Sequence, residues 1–452
     1  MVRTIWAILA VALSVSSAYG QGAVVLYEGA RLIPGDGRAA INDSAVLVDG
    51  GVIVRIGRTG ELAVAGGVRR VDLAGRTVMP AIINTHGHPG FQQGLSYSRE
   101  NYRRETILTD LNRALYFGVS TIMSQGIEIG DVMHEIRSQQ LAGALGGARL
   151  LFAGRGIGGP NAGPGAAAYA NIAYAVTTEE EIRRAVRSEA ARKVDAIKIW
   201  VDDRGGRAPR LPPALMRAAI DEGKRASLKV AAHVFYHEDA VVLADAGISA
   251  FAHLVRDKVM DDALIASMIR NRVYVMPNIG TPERTTHTSL PPWFEDPVLS
   301  ALLGDTVAPE VVARIRASFT ARDPAVAMRN RQNYAILEKS VARLAAAGAL
   351  IVLGSDTGLE DHIFGYVEQK ELELMVAAGM TPAQVIVAAT SRAAEFLGLR
   401  DVGTLAVGKR ADFLVLDGNP LDDIRNTRRI VDIYIGGQRV DRAALRAGIS
   451  KN

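Results

Sequence analysis

Residues 77–88 read Thr-Val-Met-Pro-Ala-Ile-Ile-Asn-Thr-His-Gly-His, an apolar run that stops at two histidines one residue apart. In an extended backbone, residues two apart point to the same side, so the imidazoles of His86 and His88 can meet one metal ion. A His-x-His pair is weak evidence alone. Its meaning depends on the company it keeps.

Seven further short apolar runs follow: VSTIMS (119–124), RLLFAG (149–154), DAIKIWV (195–201), LKVAAHV (228–234), ISAFAHLV (248–255), VYVMPNI (273–279) and LIVLGSD (350–356). Helical stretches lie between them, among them EEEIRRAVRSEAARK, PPALMRAAIDEGKRAS, HEDAVVLADAG and DDALIASMIRNR. Eight strands alternating with helices are what a closed (β/α)8, or TIM, barrel requires over residues 79–400. An open doubly wound sheet is the alternative. The connection over residues 280–323 is unusually long and shows few regular signals, so it reads as a lid, a specificity element or surface elaboration.

The two ends of the chain have a different texture. Residues 21–78 and 401–452 show short alternating runs broken by glycines and Asp-Gly pairs, which predict a small β-sandwich domain built from both termini. Residues 1–20 differ again: Arg3 precedes an apolar run from Ile5 to Val15 broken only by Ser14, and small residues at Ala18 and Gly20 suit cleavage before Gln21. That run is too short to span a bilayer, so it reads as a signal peptide for export to the periplasm or beyond, with an uncleaved anchor as the alternative.

Of 452 residues, 48% are hydrophobic, enough to bury a substantial core and to exclude disorder. The formal charge of +4 gathers into no basic tract, which argues against a nucleic-acid partner, and no segment after the leader approaches membrane-spanning length. With no cysteine, neither disulfides nor thiolate ligands exist.

Chemistry-bearing residues recur at the ends of the predicted strands. Lys198 lies in DAIKIWV, His233 in KVAAHV, His253 in AFAHLV and Asp356 in VLGSDTG. Barrel enzymes place catalytic groups at these carboxyl ends. Any one of these residues could be a satisfied core residue; five strand ends in agreement make coincidence a poor account. GRGIGG (154–159) fits the dinucleotide fingerprint only in letters, because Pro160 and more glycines follow where a helix should open, so it reads as a flexible loop. There is no Gly-x-Ser-x-Gly elbow for a serine hydrolase.

The set VMPAIINTHGH, DAIKIWV, AAHV, FAHL and GSDT resembles the binuclear amidohydrolase superfamily, and more closely its imidazolonepropionase-like branch with secreted dipeptidases. The tail GMTPAQVIVAATSRAAEFLGL with GTLAVGKRADFLVL also fits. Two positions depart: Asn84 stands where many members have aspartate, and Ala81 where glycine is usual.

The resemblance implies that His86, His88 and Asp356 hold one divalent metal, that His233 and His253 hold a second, and that Lys198 bridges both as its N6-carboxylated form. Zinc is favoured by the mixed nitrogen and oxygen ligands, with manganese, cobalt or iron as substitutes. A lysine merely buried against carboxylates is the alternative for Lys198. Asp356 would take the proton of the metal-activated hydroxide and deliver it to the departing amine.

On the same face, Arg155, Arg204 and Arg256 could pair with a substrate carboxylate, with Tyr236 and His237 beside them; pairing of the arginines with Asp202, Asp203 and Asp257 is the alternative. His134 reads as a surface residue; His287 and His362 read as loop residues in solvent, with contact to substrate as the alternative. The expected activity is hydrolysis of an amide or peptide C–N bond in a small carboxylate-bearing substrate, a dipeptide or N-acyl amino acid. A lactone or organophosphate ester hydrolase and a noncatalytic binding protein are the rivals. Deaminases of the superfamily place glutamate three residues after the fifth-strand histidine, where this chain has Tyr236. Assembly into a homo-oligomer stays open.

Overall fold

The computed structural model describes residues 24–449 except Ala166 and Asp361, so the leader expected at 1–20 lies outside the described residues. All eight apolar runs of the middle become strands. Val119–Ser124 lies between Ile82–Gly87 and Arg149–Phe152 in a parallel three-stranded sheet. Ala196–Trp200, Lys229–His233, Ala250–Phe251, Tyr274–Val275 and Leu350–Ile351 neighbour one another, in chain order, in a parallel seven-stranded sheet. The segment GRGIGG contributes the remaining contact: its Ile157–Gly158 pairs with both Tyr174–Ala175 and Ile199–Trp200, so it is a short strand and not the flexible loop its glycines suggest.

Periodicity explains why strands and helices lie together. Val230 and Ala232 belong to the large apolar core shared with the helices, whereas Ala231 packs with Ala250, Ala252 and Met276 on the opposite face. Lys198 and His233 have the parity of that second face. The helix Glu179–Ala191 buries Ile182, Ala185, Val186 and Glu189, a single stripe at helical spacing, and a Thr178–Glu181 capping box starts it. Asp261 caps Asp262–Arg270 with its side chain alone, accepting from the Leu264 N–H at 2.9 Å.

Strands from the two chain ends share one hydrogen-bonded sheet. Val25–Leu32, Ile41–Asp49, Val52–Arg58, Arg69–Asp72 and Thr77–Pro80 join Phe413–Leu416, Ile430–Ile435 and Gln438–Arg439 in one eight-stranded sheet. Thr77–Pro80 is its seam, bonded to Val25–Leu32 on one side and Phe413–Leu416 on the other. Strand pairing among the described residues is continuous across all eight. Its apolar face is filled by Tyr27, Phe413 and Tyr434, with Tyr27 edge-on to both partners at ring distances of 5.2 and 5.1 Å.

Residues 280–323 are not irregular. They fold into short helices that include Pro297–Thr306 and Pro309–Thr320, each opened by a proline in its first turn, and bury Trp293, Phe294, Leu299, Leu303 and Phe319 in a separate core shared with Tyr116, Phe117, Ile363, Tyr366 and Val367. Spaced prolines conceal this from a periodicity reading. The segment is anchored by buried charge. Glu283 accepts from Trp293 Nε1 at 3.0 Å, lies 2.7 Å from Lys370 Nζ and contacts His287. His287 is therefore half-buried and paired, not a solvated loop residue. Glu371 accepts from the Ile279 and Gly280 N–H groups at 2.9 and 2.7 Å. No helix among the described residues is long and apolar enough to cross a membrane.

Burial pushes the Glu283 carboxyl up, but Lys370 and His287 outweigh it and bring it from 4.5 down to about 2. A carboxyl lowered on folding stabilises the protein fully above its unfolded value, and that stabilisation is lost as pH falls toward the folded one. Glu283→Gln is therefore expected to lower the unfolding free energy by on the order of 3 kcal/mol at pH 7, because it strands a buried lysine. Denaturant melts of the two proteins should converge as pH drops from about 5 toward 2; a constant difference across that window would count against the ion pair.

Candidate metal centre

His86, His88, Lys198, His233, His253 and Asp356 all line one cavity of about 380 Å³ at the carboxyl ends of the parallel strands. His86, His88 and Asp356 can each offer one ligand atom, and these atoms lie within 4.8 Å of one another. His86 Nε2 is 3.2 Å from His88 Nε2 and 3.3 Å from Asp356 Oδ1, and His88 Nε2 is 3.0 Å from the same oxygen. The ring of His253 stands 5.0 Å from that of His86 and 4.6 Å from that of His233. His86 Nδ1 is 3.1 Å from the Ala252 carbonyl, which can only accept, so the proton sits on Nδ1 and the Nε2 lone pair faces the cluster.

Ionisation follows from burial. Desolvation drives the His86 and His253 imidazoles well below their ordinary range, which keeps them neutral and able to ligate. The Lys198 amine is pulled down by burial to about 7, against the opposing pull of Asp356 and Glu128. Its Nζ is buried with no hydrogen-bond partner, as is Nδ1 of His253. An orphaned amine beside imidazoles and a carboxylate suits a carbamate bridging two cations better than a permanent ammonium.

Asn84 fixes the geometry from behind. Its Oδ1 accepts from the His86 N–H at 2.9 Å, and its Nδ2 donates to Glu368 Oε1 at 2.6 Å and to Ser355 Oγ at 2.8 Å. Thr357 Oγ1 donates to the same Glu368 oxygen at 3.0 Å, and the Gly365 N–H to the other at 2.6 Å. The turn carrying Asp356 is thereby clamped, and it needs the clamp: Asp356 has φ +55°, left-handed for a non-glycine residue. Two residues on, Gly358 has φ +91°, and a Cβ there would come 2.2 Å from the His88 carbonyl oxygen, so the last letter of GSDTG has to be glycine. Asn84 thus replaces the family's aspartate with a group that can donate to a buried carboxylate. Ala81 fits without strain, buried, with its N–H on the Asp412 carbonyl at 3.1 Å.

Five residues were expected around substrate, and the cavity receives two of them. Arg204 and Arg256 line it. Of the acids expected to pair with them, Asp203 accepts from Tyr236 Oη at 2.9 Å and Asp257 from the His237 N–H at 2.9 Å, whereas Asp202, 3.3 Å from His233 Nε2, also attracts both guanidinium groups. Tyr236, His237 and Arg155 are directed away from the cavity. Tyr236 is held by Asp203 under Arg210, His237 Nε2 lies 3.1 Å from Asp261, and Arg155 bonds the carbonyls of Ile172 and Ala173 over the Tyr174 ring. Arg155 follows its strand, but the chain then turns into the Ile157–Gly158 strand and takes the guanidinium with it.

The sequence reading missed other cavity walls. Tyr97, Tyr169, Trp200, Thr281, Arg284, Thr285 and Glu360 line it; His362, for which substrate contact was the alternative to a solvated role, lines it as well and is buried. Trp200 carried a signal, two residues beyond Lys198 on the same strand and hence on the same face. Tyr97 and Tyr169, whose hydroxyls meet, come from loops without periodicity. His134 is half-buried edge-on to Phe152, with Nε2 2.8 Å from the Arg192 carbonyl.

Residues 77–440 match the amidohydrolase family, and the chain belongs to it. An imidazolonepropionase of Deinococcus radiodurans is 26% identical over 412 residues, 88% of this chain and 92% of its own length. A 5-methylthioadenosine/S-adenosylhomocysteine deaminase of Symbiobacterium thermophilum is 24% identical over 418 residues, 87% of this chain and 85% of its own length. Among solved structures, a Xaa-Pro dipeptidase with methionine bound in its active site is similar with a TM-score of 0.73 at 22% identity, covering 92% of this chain and 100% of that one; this likeness is one of fold. The protein is a hydrolase acting on carbon–nitrogen bonds.

Asn84→Ala removes both donors to Glu368 and Ser355 while leaving every candidate ligand in place. The expected result is a folded protein with activity lowered roughly 10- to 100-fold, the usual cost of losing a group that orients ligands. Turnover and bound-metal content measured together check it; unchanged values for both would show that the clamp is dispensable.

Proposed function

We propose that the protein is a metal-dependent hydrolase that cleaves the amide bond of a small carboxylate-bearing substrate, a dipeptide or N-acyl amino acid. One observation carries the reading: six candidate ligands and two arginines, Arg204 and Arg256, face the same cavity. His86, His88 and Asp356 would hold one divalent cation, His233 and His253 a second, and carboxylated Lys198 would bridge them, with zinc favoured by the donor set. Such cations supply Lewis-acid polarisation of the scissile carbonyl and a lowered pKa for the attacking water.

The chain's own residues do the rest. Arg204 and Arg256 bind and orient the substrate carboxylate by charge-assisted hydrogen bonds. Asp356, a carboxylate held at the centre, accepts the proton of the attacking water and returns it to the departing amine nitrogen. Tyr97, Tyr169 and Trp200 exclude bulk water from the reacting bond. Tyr236 offers no carboxylate to the cavity, which favours amide hydrolysis over deamination.

The two parallel sheets are read as parts of one (β/α)8 barrel. This is supported by backbone hydrogen bonds from Thr85 N–H to Leu353 and from Asp356 N–H to His86, at 2.9 and 3.0 Å, and from Asp195 N–H to Phe152 at 2.9 Å. The apolar run of residues 5–15 supports export.

Lys198→Ala should abolish turnover, with partial rescue by short carboxylic acids that stand in for the carbamate; full activity in that variant would contradict the bridge. For the arginines, a free-acid substrate is expected to outperform its carboxamide by roughly ten- to hundredfold in kcat/KM, and Arg204→Ala should erase most of that margin. Equal kinetics on acid and amide in the unmodified enzyme would remove the carboxylate from the substrate definition.

A further inference from the structure

A second cavity, of about 360 Å³, abuts the first. The two share the side chains of Arg256 and Thr285, so the arginine assigned to the substrate carboxylate stands in the wall between them. The second cavity has a different lining. Phe235, Tyr334 and Leu337 give it an apolar wall, the last two buried on the helix Pro324–Ala346. Asn330 and Asn333 of the same helix and Asp257 are its polar members. Asn330 Nδ2 donates to the Thr285 carbonyl at 3.2 Å, which ties this helix to the segment shared by both cavities. The lining includes no histidine, lysine or cluster of acids, so this space has no chemistry of its own. Its size and apolar wall suit part of a small ligand.

We propose that this annex receives the side chain of the amino acid released from the nitrogen side of the cleaved bond. The proposal rests on the reading of the site as an amide hydrolase for carboxylate-bearing substrates, and it names the substrate class within that reading. The α-carboxylate and the side chain of an amino acid leave the same carbon atom. A carboxylate paired with Arg256 in the dividing wall therefore sets the side chain beside the annex, while the acyl carbonyl stays with His86, His88 and Asp356. A large apolar side chain, as in phenylalanine, leucine or methionine, covers Phe235, Tyr334 and Leu337. Glycine and alanine leave that wall wet. Aspartate and glutamate bring a second carboxylate toward Asp257, which repels it.

The test uses the full, metal-loaded enzyme with N-acetylglycine, N-acetylalanine, N-acetylphenylalanine and N-acetylglutamate. Burying one large side chain is expected to raise kcat/KM for the phenylalanine derivative roughly ten- to hundredfold over the glycine one, with the glutamate derivative no better than glycine. Asn333→Trp, at an exposed helix position away from the candidate ligands, adds bulk to the annex and should erase the preference for the phenylalanine derivative over the glycine one. Leu337→Trp, one turn further along the same helix and checked for folding by thermal melting, fills the annex at its buried apolar wall.

Equal turnover of the glycine and phenylalanine derivatives by the unmodified enzyme overturns the annex alone, as does a preference that survives in both folded variants. Absence of turnover with every N-acyl amino acid and dipeptide overturns the underlying reading, and this proposal with it.

Discussion

Four imidazoles, an amine and a carboxylate are kept out of water at one end of the parallel strands, and the surrounding structure makes that burial tolerable. Removing such groups from water without partners is costly, so neutral forms are favoured and polar atoms seek bonds. His86 and His253 respond by staying neutral, and the Lys198 amine falls to about 7. What remains unsatisfied, Nζ of Lys198 and Nδ1 of His253, is what a bound cation and a carbamate would relieve.

Asn84 and Glu368 hold this arrangement to the scaffold. Burial pushes the Glu368 carboxyl up to about 7, while the Asn84 amide, the Thr357 hydroxyl and the Gly365 N–H stabilise its ionised form. An aspartate at position 84 would set a second carboxylate against Glu368 and lose the donor. The asparagine is therefore a coherent exchange within this network, and it ties the strand bearing His86 to the turn bearing Asp356. A second buried set, Glu283 with Lys370 and Glu371 with the Ile279 and Gly280 amides, fixes the start of the 280–323 segment over the same cavity. Both sets draw on the helix Tyr366–Ala377, which anchors the centre and its covering segment together.

Much of this was legible from residue order. Each candidate ligand ends a short apolar run, and alternation along a strand says which face a side chain takes, so their convergence follows from the strands being parallel neighbours. The substrate residues were less legible, because they lie beyond the strand ends, where no period constrains direction. Arg155, Arg204 and Arg256 look alike in sequence; only Arg204 and Arg256 reach the cavity, since Arg155 is captured by carbonyls of the 171–174 loop. Tyr97 and Tyr169 left no pattern, and the prolines that open the helices of 280–323 read as loop punctuation until their packing around Trp293 and Phe319 is seen.

The amino-acid sequence by itself determined the eight parallel strands, the helices between them, the joining of both chain ends and the identity of the groups gathered at the strand ends. These are local or periodic properties, carried by hydrophobic spacing, capping residues and side-chain type. The tertiary structure alone decided which arginines face the cavity, that Asn84 answers Glu368 284 residues away, and that a second chamber lies behind Arg256. Those outcomes depend on contacts between distant segments, where the direction of one side chain is set by which partner is already occupied.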